Sequence, residues 1–142
     1  MSDTIHNTPK TEDELLAMPE EAYMNPQQLA FFRARLQSMR EQVLEDIEQV
    51  RTDLRQSSQA ADELDRASEE ENRQLELRIR GRENRLLRKI DEALYRIETG
   101  EYGFCEQTGD PIGLPRLLAR PTATLSVEAK ERMEATEHLF GE

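Results

Sequence analysis

Residues 25–54 read NPQQLAFFRARLQSMREQVLEDIEQVRTDL. Asparagine followed by proline marks a helix start. Asn25 suits the N-cap, and Pro26 suits the first helical position, where its missing N–H is not needed. Apolar residues then fall at Leu29, Phe32, Leu36, Met39, Val43, Ile47, Val50 and Leu54, at spacings of 3, 4, 3, 4, 4, 3 and 4. That is the seam of a coiled coil with one offset. A helix from Pro26 to about Arg55 follows, about 45 Å long at 1.5 Å per residue. One narrow apolar stripe on so long a helix calls for a partner.

The partner comes directly downstream. Residues 56–61, QSSQAA, break the pattern and read as a turn. A second helix is expected from about Asp62 to Glu98, with Asp62 as its N-cap. Its stripe is Leu64, Ala67, Glu71, Leu75, Ile79, Arg82, Leu86, Ile90, Ala93 and Ile97. Two stripes of similar length joined by a short link imply an antiparallel hairpin. Gly81 lies inside the second helix, where glycine costs about 1 kcal/mol against alanine.

On the N-terminal side, residues 1–11 form a polar tail. Thr11 can cap a short helix whose Leu15, Leu16 and Met18 dock, and Pro19 stops it. On the C-terminal side, Gly100 suits the position just past a helix end. Glycines and prolines then crowd residues 100–125, with Tyr102, Phe104, Ile112, Leu114, Leu117, Leu118 and Leu125 as the apolar set. A last helix is expected from a Ser126 cap to about Leu139, with Val127, Met133 and Phe140 available for docking. The expected fold is mostly all-α. A long antiparallel coiled-coil hairpin (25–99, tip near 56–67) stands on a small base with a C-terminal helix (100–142). Residues 1–24 contribute a tail and a short helix that packs on the base.

Residues 100–130, GEYGFCEQTGDPIGLPRLLARPTATLSVEAK, have the rhythm of a treble-clef zinc finger. Such a finger needs two cysteine pairs, one in a glycine-rich knuckle and one at a helix N-terminus. Cys105 fills the first position, but Thr108, Ser126 and Ala129 stand at the other three. A neutral hydroxyl is a poor zinc ligand and alanine is none, so no bound metal is expected. Turn hydrogen bonds from Thr108 and Asp110, together with the leucines, must then hold the knuckle. Cys105 reads as a small buried residue under a tight turn. A redox thiol is the alternative, although no His, Lys or Arg lies between Gly103 and Asp110 to activate it.

Composition narrows the function. The chain has 142 residues, 30 acids against 19 bases and a net charge of -11. Wrapping DNA needs a surplus of Lys and Arg, so direct DNA binding is not expected. The same acidity argues against anionic membranes. No apolar run reaches the length of a membrane span, and MSDTIHNTPK lacks the apolar core of a signal peptide, so the expected compartment is the cytoplasm. One cysteine excludes an internal disulfide.

The charge is also divided. From Ala60 to Glu71 six acids face Arg66 alone, a net of -5 at the hairpin turn. A solvated tip that favours the second helix N-terminus explains those acids structurally. A probe that reaches a cation or basic wall in a larger assembly explains them functionally. From Arg78 to Lys89 the sign flips: six bases face Glu83, a net of +5. Arg78, Arg82, Arg85 and Lys89 share a face at 4-3-4 spacing. That face is either a solvated surface paired with glutamates of the first helix or an anion site. Arg116, Arg120 and Lys130 could add to such a site if the base folds back. Asp62 and Asp65 could serve acid–base work, but an exposed tip offers no pocket to tune them. No other catalytic constellation appears, and an enzyme is not expected.

Three segments carry a resemblance: AYMNPQQLAFFRARL (22–36), DELDRASEEENRQLELRIRGREN (62–84) and GEYGFCEQTGDPIGLPRLLARPTA (100–123). Together they are similar to the DksA/TraR family of RNA polymerase-binding transcription factors, over about residues 19–140. A D-x-x-D-R-A tip paired with I-G-x-x-R-L-x-A-R-P-T-A after a Cys knuckle is not a generic coiled-coil pattern. The resemblance implies a hairpin that enters the polymerase secondary channel and modulates initiation together with the nucleotide ppGpp, as a monomer. It places active-site-directed tip residues at Asp62, Asp65 and Ala67. It places nucleotide contacts at Leu86, Lys89, Arg120 and Lys130, with Arg116 nearby. The degenerate cysteine positions make the chain similar to the zinc-independent paralogues. Two other readings stay open: a secondary-channel factor of the transcript-cleavage kind, and a non-transcriptional coiled-coil adaptor.

Overall fold

Asn25 starts its helix as the sequence predicts: its side-chain oxygen accepts from the Gln28 N–H at 2.9 Å. Gln28 returns the favour one residue earlier, its Oε1 accepting from the Met24 N–H at 2.9 Å. This reciprocal cap resembles a capping box and uses a glutamine that is fully buried. The computed structural model describes residues 8–60 and 66–140, without the side chains of 57–60, 66–68 and 139–140. The elements in order are α1 (Glu12–Leu16), a 3-10 turn (Glu20–Ala22), α2 (Pro26–Ala60), α3 (Arg66–Thr99), α4 (Leu114–Ala119) and α5 (Val127–Phe140). Among the described residues there is no strand, only a single antiparallel bridge between Phe104 and Pro111.

The helical hairpin is present. Arg33 pairs with Glu98 at 3.0 Å and Arg40 with Asp91 at 2.9 Å, so seven residues up α2 match seven residues down α3. That register is antiparallel. These pairs are exposed and contribute at most about 1 kcal/mol each. They report the register more than they enforce it.

One boundary differs from the sequence expectation: α2 continues through Ala60 rather than ending near Arg55. The expected start of α3 near Asp62 lies outside the described residues, which resume at Arg66 in helix. Loss of the apolar stripe at 56–60 ends the seam, but Gln, Ser and Ala still tolerate a helix. The expected Asp62 cap lies outside the described residues. The distal seam of α3 also differs. Glu71, Leu75 and Arg82 were expected inward, yet Leu75 is 41% exposed and the Arg82 side chain 71%. Asn72, Glu76, Ile79 and Glu83 take the inner positions, the Glu83 side chain being only 14% exposed. Counting back from Ile97 in strict fours and threes gives Ala93, Ile90, Leu86, Glu83, Ile79, Glu76 and Asn72. The seam is therefore regular but polar, and apolar letters alone mislead there.

The chain divides into two units, one from Met1–Leu36 with Glu92–Glu142 and one from Gln37–Asp91. The second is the distal helix pair, in which only Val43 and Ile90 are buried among the described residues. Two helices alone cannot cover more. The first unit holds the main core: Leu15, Phe31, Phe32, Leu36, Ala93, Ile97, Tyr102, Ile112, Leu117 and Leu125. Phe32 meets Phe31 edge-on at 5.4 Å and Tyr102 at 5.5 Å between ring centres. Such pairs add about 0.5–1.5 kcal/mol beyond burial. Leu15 docks as expected, whereas Leu16 is 48% exposed. In α5, Val127 and Met133 were expected to dock but are exposed. Ala129 is the fully buried residue of this helix instead.

Candidate functional site

The knuckle around Cys105 is built by glycines at positive φ. Gly100 (φ +85°) ends α3, and the Glu101 and Tyr102 N–H groups both bond to the Arg96 carbonyl at 2.9 and 3.1 Å. The Arg96 guanidinium then holds the carbonyls of Glu101 and Phe104 at 3.0 and 2.8 Å. Gly103 (φ +90°) allows Met24 to pack so closely that an added Cβ would meet its Sδ at 2.6 Å. Tyr23 ties this turn down: its hydroxyl donates to the Gly103 carbonyl at 2.6 Å and accepts from the Gly113 N–H at 2.9 Å. The buried Tyr102 hydroxyl donates to the Pro121 carbonyl at 2.7 Å.

Within the knuckle, Cys105 is buried. Its N–H bonds to the Asp110 carbonyl at 2.7 Å, and its carbonyl accepts from Gly109 at 2.8 Å. Burial alone would push its thiol up. Hydrogen bonds from the Thr108 hydroxyl and from the Ser126, Thr108 and Gln107 backbone outweigh burial and bring it down to about 6. The sulfur thus sits in a cradle of donors like those that surround a metal-bound thiolate.

The other three finger positions do not supply zinc ligands. Thr108 Oγ1 accepts from the Asp110 N–H and Ser126 Oγ from the Ala129 N–H, each at 3.2 Å. Ala129 has no donor atom. Among the described residues no three His, Cys, Asp or Glu side chains gather as a metal site. These residues do not fit zinc. Thr108 acts as expected in the turn, while Asp110 acts through its backbone rather than its side chain. Ser126 caps α5, as its sequence suggests.

The basic face of α3 is exposed. Arg78, Arg85, Arg88 and Lys89 are exposed and make no ion pair with any described residue, and Arg82 has only Glu83 at 3.5 Å. The alternative in which glutamates of the first helix neutralise this face is not what the structure shows. Leu86 is half-buried beside them. In the other unit, Arg120 is exposed, Lys130 lies 3.8 Å from Glu134, and Arg116 Nε donates to the Leu125 carbonyl at 2.8 Å. Arg116 thereby braces the base. Asp62 and Asp65 lie outside the described residues. Ala67 is in the first turn of α3, without a described side chain.

Sequence reasoning missed the Gln28 cap, the Arg96 clamp, the Tyr23 tie and the short helix α4. The Asn-x-x-Gln spacing signalled the first, and Gly-Leu-Pro at 113–115 signalled the last.

Two family profiles match consecutive parts of the chain. The DnaK suppressor protein DksA N-terminal domain matches residues 28–97. The prokaryotic dksA/traR C4-type zinc finger matches residues 100–135. The RNA polymerase-binding transcription factor DksA of Caulobacter vibrioides is 49% identical over 121 residues, covering 84% of this chain and 85% of the relative.

This chain belongs to the DksA/TraR family.

The RNA polymerase-binding transcription factor DksA of Escherichia coli K12 is 41% identical over 120 residues, covering 84% of this chain and 80% of that protein. The solved structure of transcription factor DksA2 from Pseudomonas aeruginosa matches with a TM-score of 0.81 and 52% identity, over 90% of this chain and 99% of that one. The DksA zinc-finger profile matches the base although only one of its four cysteine positions holds a cysteine here.

Proposed function

We propose that the chain binds RNA polymerase, enters its secondary channel with Asp62 and Asp65 leading, and modulates initiation with ppGpp without holding DNA. The observation that carries this reading is the joint match of both DksA family domains, with relatives named RNA polymerase-binding transcription factors over 84% of the chain. The antiparallel pair of α2 and α3 supports it, because Asp62 and Asp65 fall in the sequence between the two helices. Acids there can approach the metal-bearing polymerase centre, and Ala67 follows within the first turn of α3. The protein does no chemistry of its own; it changes the lifetime of a promoter complex.

Several of the bases, Lys89 and Arg120 among them, are exposed without an ion pair to any described residue and suit a polyanionic nucleotide. Lys89 and Leu86 of α3, and Arg120, Lys130 and Arg116 of the base, supply phosphate contacts and one apolar contact, following the family resemblance. Guanidinium and ammonium groups without carboxylate partners are free to take phosphate. The base works without zinc, since Thr108 and Ser126 spend their hydroxyls on backbone N–H groups. The chain acts as a monomer in the cytoplasm, where the polymerase is.

In vitro transcription from a ribosomal promoter tests this. The wild-type chain should lower transcript yield, and ppGpp should deepen the effect. Lys89→Ala or Arg120→Ala should abolish the ppGpp enhancement and keep the basal effect. An unchanged ppGpp response in both variants would remove the nucleotide assignment. Stimulated cleavage of arrested transcripts, with no effect on initiation, would replace the reading by a cleavage factor.

A further inference from the structure

The distal helix pair contains a cleft of about 370 Å³ between α2 and α3. Arg51 and Arg55 line it from α2, and Arg73 and Arg80 from α3, with Glu69 and Glu76 as the acids. Four cations against two anions leave a surplus of positive charge where a coiled-coil seam is ordinarily apolar.

The guanidinium groups are incompletely used. Arg80 pairs with Glu76 at 2.6 Å, but Arg51 reaches Glu48 only at 3.7 Å and Arg73 reaches Glu70 only at 3.9 Å. Arg55 makes no ion pair with any described residue. The Nε–H groups of Arg51 and Arg80 are buried and find no acceptor. A buried donor left unsatisfied costs about 1–3 kcal/mol, more when charged. Both belong to side chains that line the cleft, where buried polar groups are ordinarily paired.

We propose that this cleft binds the diphosphate unit of a phosphate-chain anion, either free pyrophosphate or the phosphates of a nucleoside triphosphate. Arginine suits this ligand because its planar fork donates two bonds to a phosphate edge. A single carboxylate would satisfy one guanidinium; a multiply charged diphosphate can meet several. The cleft is near the lower end of small-ligand sites, which run about 300–1,000 Å³, so it takes the phosphates and leaves sugar and base in solvent. If the source is a nucleoside triphosphate, ATP and GTP bind alike. All its residues belong to the distal unit and none is assigned above to ppGpp, so the proposal stands without that assignment.

The test titrates the full chain with inorganic pyrophosphate at low salt and follows the arginine Nε–H resonances by NMR. Saturable shifts of the Arg51 and Arg80 signals are expected. Arg55→Gln combined with Arg73→Gln should weaken binding at least tenfold, whereas Arg120→Ala should leave it unchanged. Parallel titrations with ATP and GTP separate the sources: equal binding assigns the cleft to nucleotide phosphates, and binding of pyrophosphate alone assigns it to the free diphosphate. Absence of saturable shifts in the wild type, or equal affinity in the double variant, would overturn the proposal. So would a loss of the same size in Arg120→Ala. If the double variant loses helicity, Arg55→Gln alone carries the test with the same criteria, because its side chain is exposed and unpaired.

Discussion

Cys105 is a lone cysteine buried in the knuckle. Its sulfur keeps a ring of donors, and they favour the thiolate over the thiol despite burial. The folded pKa, lowered from 9.0 to about 6, ties stability to pH. An acid group depressed in the folded state contributes stability that is complete above its unfolded value and lost as pH falls through its folded one. Wild-type thermal stability should therefore rise between about pH 6 and pH 9, and Cys105→Ala should remove that slope; melting curves across the range check it. Gly103 is the other decisive residue. Alanine there must adopt φ +90° and displace the Met24 side chain. A loss of about 1–3 kcal/mol is expected from the strained backbone alone, read by chemical denaturation. Tyr23→Phe should cost a similar amount, about 1–3 kcal/mol, because it strands the Gly103 carbonyl and the Gly113 N–H together.

At the scale of elements, the helices follow local rules closely. Asn25→Ala should destabilise the protein by about 1 kcal/mol, since it frees the Gln28 N–H and loosens the reciprocal cap. Gly81→Ala should act in the opposite direction. A Cβ there would meet only Arg85 Nη1 at an ordinary 3.7 Å, and α3 is helical at that point. A gain of about 0.5–1 kcal/mol is expected, visible as a raised midpoint in thermal unfolding.

The caps at Thr11, Asn25 and Ser126 and the glycine stop at Gly100 were all legible in the sequence, because each depends on one residue and its nearest neighbours. The α2 seam was legible for the same reason: its apolar spacing is the signal. The distal α3 seam was not. Its inner positions are Asn72, Glu76 and Glu83, and polar letters carry no burial signal. The Arg96 clamp and the Tyr23 tie join residues distant in the chain or wrapped around a turn, so no local pattern announces them. Among the candidate functional residues, the unpaired basic face of α3 could be read from its 4-3-4 spacing. That its charges lack partners could not.

At the scale of the whole molecule, the net charge of -11 conceals two opposed regions, residues 60–71 at -5 and residues 78–89 at +5. In the proposed function the acids approach a metal-bearing centre and the bases take phosphate. Thr108, Ser126 and Ala129 give the base no zinc donor set. Chelator treatment should therefore leave the helical circular dichroism and the melting midpoint unchanged; a cooperative loss of structure would reveal a metal after all. In the proposed function Asp62 and Asp65 act on polymerase while the rest of the chain holds it. The most direct measurement pairs polymerase binding with ribosomal-promoter transcription for Asp62→Asn combined with Asp65→Asn. Retained binding with a lost effect on transcription is the expected result. An undiminished effect on transcription would contradict a tip-directed mechanism.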